Sequence, residues 1–150
     1  MGNTLILSSI YLILCVKAIE KILVPESVLR RIESLQETSL IEACGVLVGR
    51  LDDYGIARVT RMVPTENLLQ SSTRFEIDPR ELFEIFDGLE GEEEIVAVYH
   101  THPTSAATPS QWDREYMEHA TFLWIIAGVD TLAAYLWIDD RVEEVPIECR

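Results

Sequence analysis

Ile95-Val96-Ala97-Val98-Tyr99-His100-Thr101-His102-Pro103, followed after six residues by Ser110-Gln111-Trp112-Asp113, is the stretch on which the fold of this chain turns. The apolar, β-rich run over 95–101 predicts a buried strand that leads straight into the histidines. Residues two apart on a strand share a face, so His100 and His102 aim at one point. Pro103 has no N–H to give and stops the ladder there. Ser110 opens the next helix and sets Asp113 in its first turn, from which a carboxylate can fold back over the strand end. Two imidazoles and one carboxylate make three ligands for one Zn2+ per chain and leave a fourth tetrahedral position open. That openness separates a catalytic from a structural site, because a water taken there has its pKa lowered to about 7.

Such a site needs a carboxylate to take and return a proton. Glu42, at the start of an apolar run over 41–49, is the candidate among several acids able to fold nearby. Ser110 is the candidate hydrogen-bond donor to an oxyanion. Each piece has a plainer reading. Ser110 and Asp113 match the S-x-x-D capping box, and a lone H-x-H on a strand is more often packing or surface than a ligand pair. The conjunction weighs more than its parts, since a chance match of His, His, Pro, Ser and Asp at one spacing is on the order of 10⁻⁵ at this composition. Cys44, two residues beyond Glu42, reads as small-hydrophobe packing. His119, six positions beyond Asp113 and off that helix face, reads as structural. Trp124, Tyr135 and Trp137 read as core.

Outward from this segment, residues 18–24 predict a short strand, and Pro25 with Val28, Leu29, Ile32 and Leu35 predicts a helix of three turns. The run over 41–49 predicts a strand buried on both faces, forming a hairpin with 54–63. Residues 75–77 are a brief extended piece. Asp78-Pro79 then starts a helix carrying Leu82, Phe83, Ile85 and Phe86, which Gly88 and Gly91 end, and 92–94 read as a solvated acidic loop. Strands over 121–127, 131–138 and 141–147 complete a mixed α/β order.

The 150 residues carry 26 acidic and 12 basic side chains, a net charge of −14, which argues against a nucleic-acid partner. Cys15, Cys44 and Cys149 are odd in number and form no C-x-x-C pair, so neither a disulfide framework nor a cysteine zinc cluster is implied and a reducing cytoplasm suits them. Asn and Gln are scarce, as hyperthermophile proteins often show. The apolar run over 5–16 falls short of the about 20 residues of a membrane span, and it lacks the basic start and cleavage site of a signal peptide. An added core or dimer-packing element, an early start codon and a targeting segment are its three readings. No repeat, low-complexity tract or linker divides the chain.

Taken together, these residues resemble the JAMM, or MPN-plus, family of zinc isopeptidases and its small prokaryotic members. The likeness rests on Glu42-Ala43-Cys44-Gly45-Val46-Leu47-Val48-Gly49, on His100 to Pro103 and on Ser110 to Asp113, and Asn67, Arg74-Phe75 and Asp78-Pro79 add to it. It spans about residues 18–137, so residues 1–17 are set apart as an apolar extension of unknown role and 18–150 as the catalytic domain. The resemblance implies a cytidine-deaminase-like α/β/α sandwich, a mixed central sheet flanked by helices. It also implies a metalloprotease hydrolysing the amide after the C-terminal Gly-Gly of a ubiquitin-like protein. An extended tail of small residues could add as a strand beside an exposed edge and thread a narrow groove to the metal.

Release of an amino acid such as cysteine from a sulfur-carrier protein keeps the same chemistry on another substrate. A non-catalytic scaffold of the family is the alternative of another class, and the intact ligand set argues against it. A nucleoside deaminase would need H-x-E with P-C-x-x-C, and the chain has neither.

Overall fold

The computed structural model describes residues 19–120 and 122–150. The apolar run over 5–16 and Cys15 lie outside the described residues.

β1 (Lys21–Val24) passes through Pro25 into α1 (Glu26–Thr38). Pro25, with φ fixed near its helical value, sits at the N-cap, where a missing N–H costs nothing. β2 (Cys44–Leu51) and β3 (Ile56–Thr65) form the expected hairpin, and Gly55 takes φ 81° in the turn. β2 is buried from Cys44 to Gly49, as a strand covered on both faces must be. Glu42 precedes the first ladder residue and so belongs to the approach to β2 rather than to the strand. α2 (Pro79–Asp87) starts on Asp78, whose side chain accepts from Arg80 N, and ends at Gly88. β4 (Glu94–Thr101) opens one residue earlier than its apolar pattern, taking Glu94 out of the acidic loop. α3 (Gln111–Met117), β5 (Leu123–Ala127) and β6 (Leu132–Ile138) follow.

The run over 141–147 is not one strand. It divides at Pro146 into β7 (Arg141–Val145), paired with β6, and β8 (Ile147–Cys149), paired with β1. Proline offers no ladder N–H, so pairing with β6 stops, while its carbonyl accepts from Ile22 N at 3.0 Å on the other side. The eight strands run in the order β7-β6-β5-β4-β2-β3-β1-β8, so the two edge strands are chain neighbours joined by one residue. The sheet therefore curls until its edges meet. It is mixed, with β4 antiparallel to β2 and parallel to β5.

Curling gives the sheet an inside and an outside. Inside, Val28 and Ile32 of α1 pack against Ile22, Leu47, Val59, Ala97, Tyr99, Ile125, Leu136 and Val145, drawn from seven strands. Each such aliphatic side chain contributes about 1.5–3 kcal/mol by leaving water. Outside, Leu82 and Ile85 of α2 and Met117 of α3 cover Val46, Val48, Val98, Phe75 and Trp124. Tyr135 and Trp137 join this outer layer half-buried rather than filling the core. Among the described residues no helix is long and apolar enough to cross a membrane.

Candidate metal centre

The site lies on the outer side, where β4 ends beside the approach to β2 and the first turn of α3 closes over both. His100 pairs with Cys44 across the β2–β4 ladder, which carries Glu42 alongside the histidines. His100 and His102 share a face: their Nε2 atoms lie 3.1 Å apart. His100 is fully buried, stacked on Phe75 at 4.4 Å between ring centres, with Trp124 edge-on at 6.0 Å. His102 Nδ1 lies 2.8 Å from the Ala106 carbonyl oxygen, which can only accept, so Nδ1 donates and Nε2 presents a lone pair inward.

Asp113 faces both rings, with Oδ1 3.1 Å from His100 Nε2 and Oδ2 3.1 Å from His102 Nε2. The two readings of the S-x-x-D motif hold together. Ser110 Oγ accepts from Asp113 N at 3.1 Å, and Asp113 Oδ2 accepts from Ser110 N at 2.9 Å, a complete capping box whose carboxylate also faces the histidines. Glu42 Oε1 stands slightly further off, 3.8 Å from His100 Nε2. Glu42, His100, His102 and Asp113 are all buried, and each offers a ligand atom within 4.8 Å of every other.

These four residues suit a metal ion. Glu42 Oε1, facing the cluster, is one of five buried side-chain polar atoms without a hydrogen-bond partner among the described residues, and Asp113 Oδ1 meets only the His100 ring at 3.1 Å. Such orphaned atoms are costly in a dry interior unless an ion or a water answers them. The 3.1 Å separations among the ring nitrogens and Asp113 are close to the about 3.3 Å edge of a tetrahedron with metal–ligand bonds of about 2.0–2.1 Å. The donor set, two imidazoles and hard carboxylates with no thiolate, suits Zn2+ or a similar divalent ion.

Electrostatics divides the two carboxylates. Burial, reinforced by the charge of Asp113 and partly offset by His102, pushes Glu42 up to about 8. Burial acts in the same direction on Asp113, yet hydrogen bonds with His100 and His102, the His100 charge and the Ser110 amide hold it well below the usual carboxylate range. Burial lowers His100 despite Asp113. For His102 burial pulls downward, but Asp113, the Ala106 carbonyl and Glu42 together raise it. One carboxylate is thus held ionised while its neighbour sits where it can exchange a proton near neutral pH.

Of the other cysteines and histidines, Cys44 is not in the group. Its Sγ lies 3.5 Å from Thr65 Oγ1 and 3.7 Å from the Glu66 carbonyl, and burial pushes its thiol up to about 11. Cys149 and His119 are exposed.

Three supporting residues escaped the sequence reading. Thr101, between the two histidines, turns to the inner side, where its Oγ1 accepts from Ala43 N at 2.9 Å while its own N–H donates to Ala43 O. Ala106 fixes the His102 tautomer through its backbone, which no side-chain pattern can signal. Asn67, read only as part of a likeness, is 3% exposed and is the hub of the loop over 66–76. Its Nδ2 donates to Glu42 O at 3.0 Å and Arg74 O at 3.0 Å, and its Oδ1 accepts from Leu69 N and Glu76 N.

Comparison with known proteins agrees with this geometry. Residues 25–139 match the family described as prokaryotic homologs of the JAB domain. The desampylase of Haloferax volcanii is 31% identical over 109 residues, covering 71% of this chain and 76% of that protein. The desampylase of Pyrococcus furiosus is 31% identical over 108 residues, covering 71% and 74%. The CysO-cysteine peptidase of Mycobacterium bovis is 29% identical over 112 residues, covering 71% and 75%. A solution structure of a Desulfitobacterium hafniense protein superposes with a TM-score of 0.75 at 27% identity, over 86% of this chain and 92% of that one. With a curled mixed sheet, a buried Glu-His-His-Asp group and a family match over most of its length, the chain belongs to the prokaryotic JAB-domain family.

Proposed function

We propose that this protein is a zinc-dependent isopeptidase that hydrolyses the amide after the C-terminal Gly-Gly of a ubiquitin-like modifier. One observation carries the reading: the convergence of Glu42, His100, His102 and Asp113 in one buried group at the end of β4. Its similarity to two desampylases supports the substrate class.

In this reading His100, His102 and Asp113 hold the ion. A divalent cation held there would polarise the scissile carbonyl as a Lewis acid and lower the pKa of a water. Glu42 takes the proton of the attacking water and returns it to the departing amine nitrogen, a service typically worth roughly 10²–10⁴ in rate. Its place suits both halves of that task, since Glu42 Oε1 stands 3.8 Å from His100 Nε2 at the edge of the cluster and has no hydrogen-bond partner of its own among the described residues. Ser110 Oγ already accepts from Asp113 N, so its hydroxyl hydrogen is left to donate to the oxyanion that forms on the carbonyl. Phe75 and Trp124 keep water from the far side of His100.

The CysO-cysteine peptidase likeness favours a second substrate on the same machinery, a sulfur-carrier protein bearing a C-terminal amino acid. Metal analysis joined to cleavage assays tests both. About one zinc per chain is expected, with cleavage of a Gly-Gly-linked lysine adduct or of a Gly-Gly-cysteine terminus that a chelator abolishes and zinc restores. Absence of bound metal, or turnover indifferent to the chelator, would overturn the assignment, and the preferred adduct decides between the two substrates.

A further inference from the structure

We infer that Asn67 is a positioning residue for the proposed general base, setting the Glu42 carboxylate through the backbone on which it stands. The inference rests on the function proposed above.

Glu42 lies outside the sheet, so no ladder fixes it, and its peptide is held instead by the loop over 66–76. Glu42 N donates to Ser71 O at 2.8 Å, and Glu42 O accepts from Asn67 Nδ2 at 3.0 Å. Asn67 keeps the loop in that shape. The same Nδ2 reaches Arg74 O at 3.0 Å and Ser71 O at 3.5 Å, and Oδ1 takes Leu69 N at 3.1 Å and Glu76 N at 3.2 Å. One amide therefore ties four backbone groups of the loop, Leu69 N, Ser71 O, Arg74 O and Glu76 N, to the carbonyl of the residue carrying the base. Only an amide does this, because it has two donors and an acceptor at fixed angles. An aspartate of the same shape would set a carboxylate against three carbonyl oxygens. On the other flank Thr101 Oγ1 pins Ala43 N, so the peptide bearing Glu42 is clamped between β4 and this loop.

Displacement of a reacting group by about 1 Å can cost 10²-fold in rate. Asn67→Asp is therefore expected to lower kcat by about 10- to 100-fold with KM changed less than about threefold and about one zinc retained. Ser71→Ala removes only the Ser71 Oγ contacts with Thr73 and is the milder form of the same lesion, with an expected loss of a few-fold. It serves if Asn67→Asp does not fold. Val145→Ala, in the inner core away from the site, supplies a matched loss of Tm with unchanged kcat.

Two readouts separate positioning from general destabilisation. Exchange of the Glu42 amide hydrogen should quicken in the loop variants and not in Val145→Ala. In the background of Glu42→Asp, whose carboxylate is one methylene short, the loop variants should cost little further kcat, because residues acting through one another are not additive. Wild-type kcat in a folded Asn67→Asp, unchanged exchange at Glu42, or full additivity with Glu42→Asp would overturn the inference. Full activity in Glu42→Gln would instead remove the base assignment beneath it.

Discussion

The two faces of β4 carry different work in one strand. Its inward residues, Ala97, Tyr99 and Thr101, pack against α1 and staple the neighbouring chain. Its outward residues, Val98 and His100, continue through His102 into the candidate metal centre. Both faces are buried, so burial alone does not separate structure from chemistry. Parity does. The inner face is nearly all hydrocarbon, whereas Glu42, His100, His102 and Asp113 gather on the outer side, each with a ligand atom within 4.8 Å of every other and with Glu42 Oε1 left without a hydrogen-bond partner. Four buried polar side chains facing one another in this way are answered best by a ligand held between them.

The contrast can be broken at several points. The largest effect is expected on the outer face: His102→Ala should remove bound zinc and all measurable turnover while the fold survives, since a lost ligand opens the site but not the sheet. Metal analysis beside circular dichroism checks it, and full zinc occupancy in the variant would end the distinction.

Next comes the pH response of the metal-free chain. Glu42 has its folded pKa raised from 4.5 to about 8. Between these values the folded state binds more protons than the unfolded one, so its contribution to stability falls as pH rises. Wild type should therefore lose several degrees of Tm relative to Glu42→Gln from about pH 5 to pH 8 in the presence of chelator. Bound zinc should flatten this difference by favouring the carboxylate. Parallel Tm curves for the two chelated proteins would contradict the assignment of that burial penalty.

A smaller effect is expected inside. Thr101→Val keeps the shape but takes the acceptor from Ala43 N, a loss of about 1–3 kcal/mol in denaturant unfolding with zinc retained. The least belongs to Tyr99→Phe. Tyr99 Oη is buried without a hydrogen-bond partner among the described residues, so removing it should leave stability within about 1 kcal/mol of wild type, or raise it, and activity unchanged. A large loss in this variant would show that the inner face does more than pack.

How much of this could be read from the chain follows the same division. His100, His102 and Asp113 were legible because strand parity and a helix start bring them together at short range, and the capping box announces where α3 begins. Glu42 was weaker on residues alone, since its place beside the histidines depends on β2 pairing with β4 across more than fifty residues. Ala106 acts through its backbone, which carries no residue signature, and Asn67 acts through a side-chain amide whose partners are backbone groups that the sequence does not bring beside it. The break at Pro146 was missed because Val142, Val145 and Ile147 read as one β-rich run. Which of two distant partners each half takes is a tertiary matter that periodicity does not encode.

That break at Pro146 bears on how much open edge the sheet offers. The strands flanking the seam have five and three residues and are joined to each other, so little unpaired main chain is left along the sheet for a guest strand. β4, moreover, lies three strand spacings from β7, about 14 Å inside the nearer margin. A tail paired along that rim would need about four further extended residues to reach the histidines. The connecting segments around the cluster lie nearer the histidines than the edge strands do, and such loops can change between relatives while the sheet behind them stays as it is.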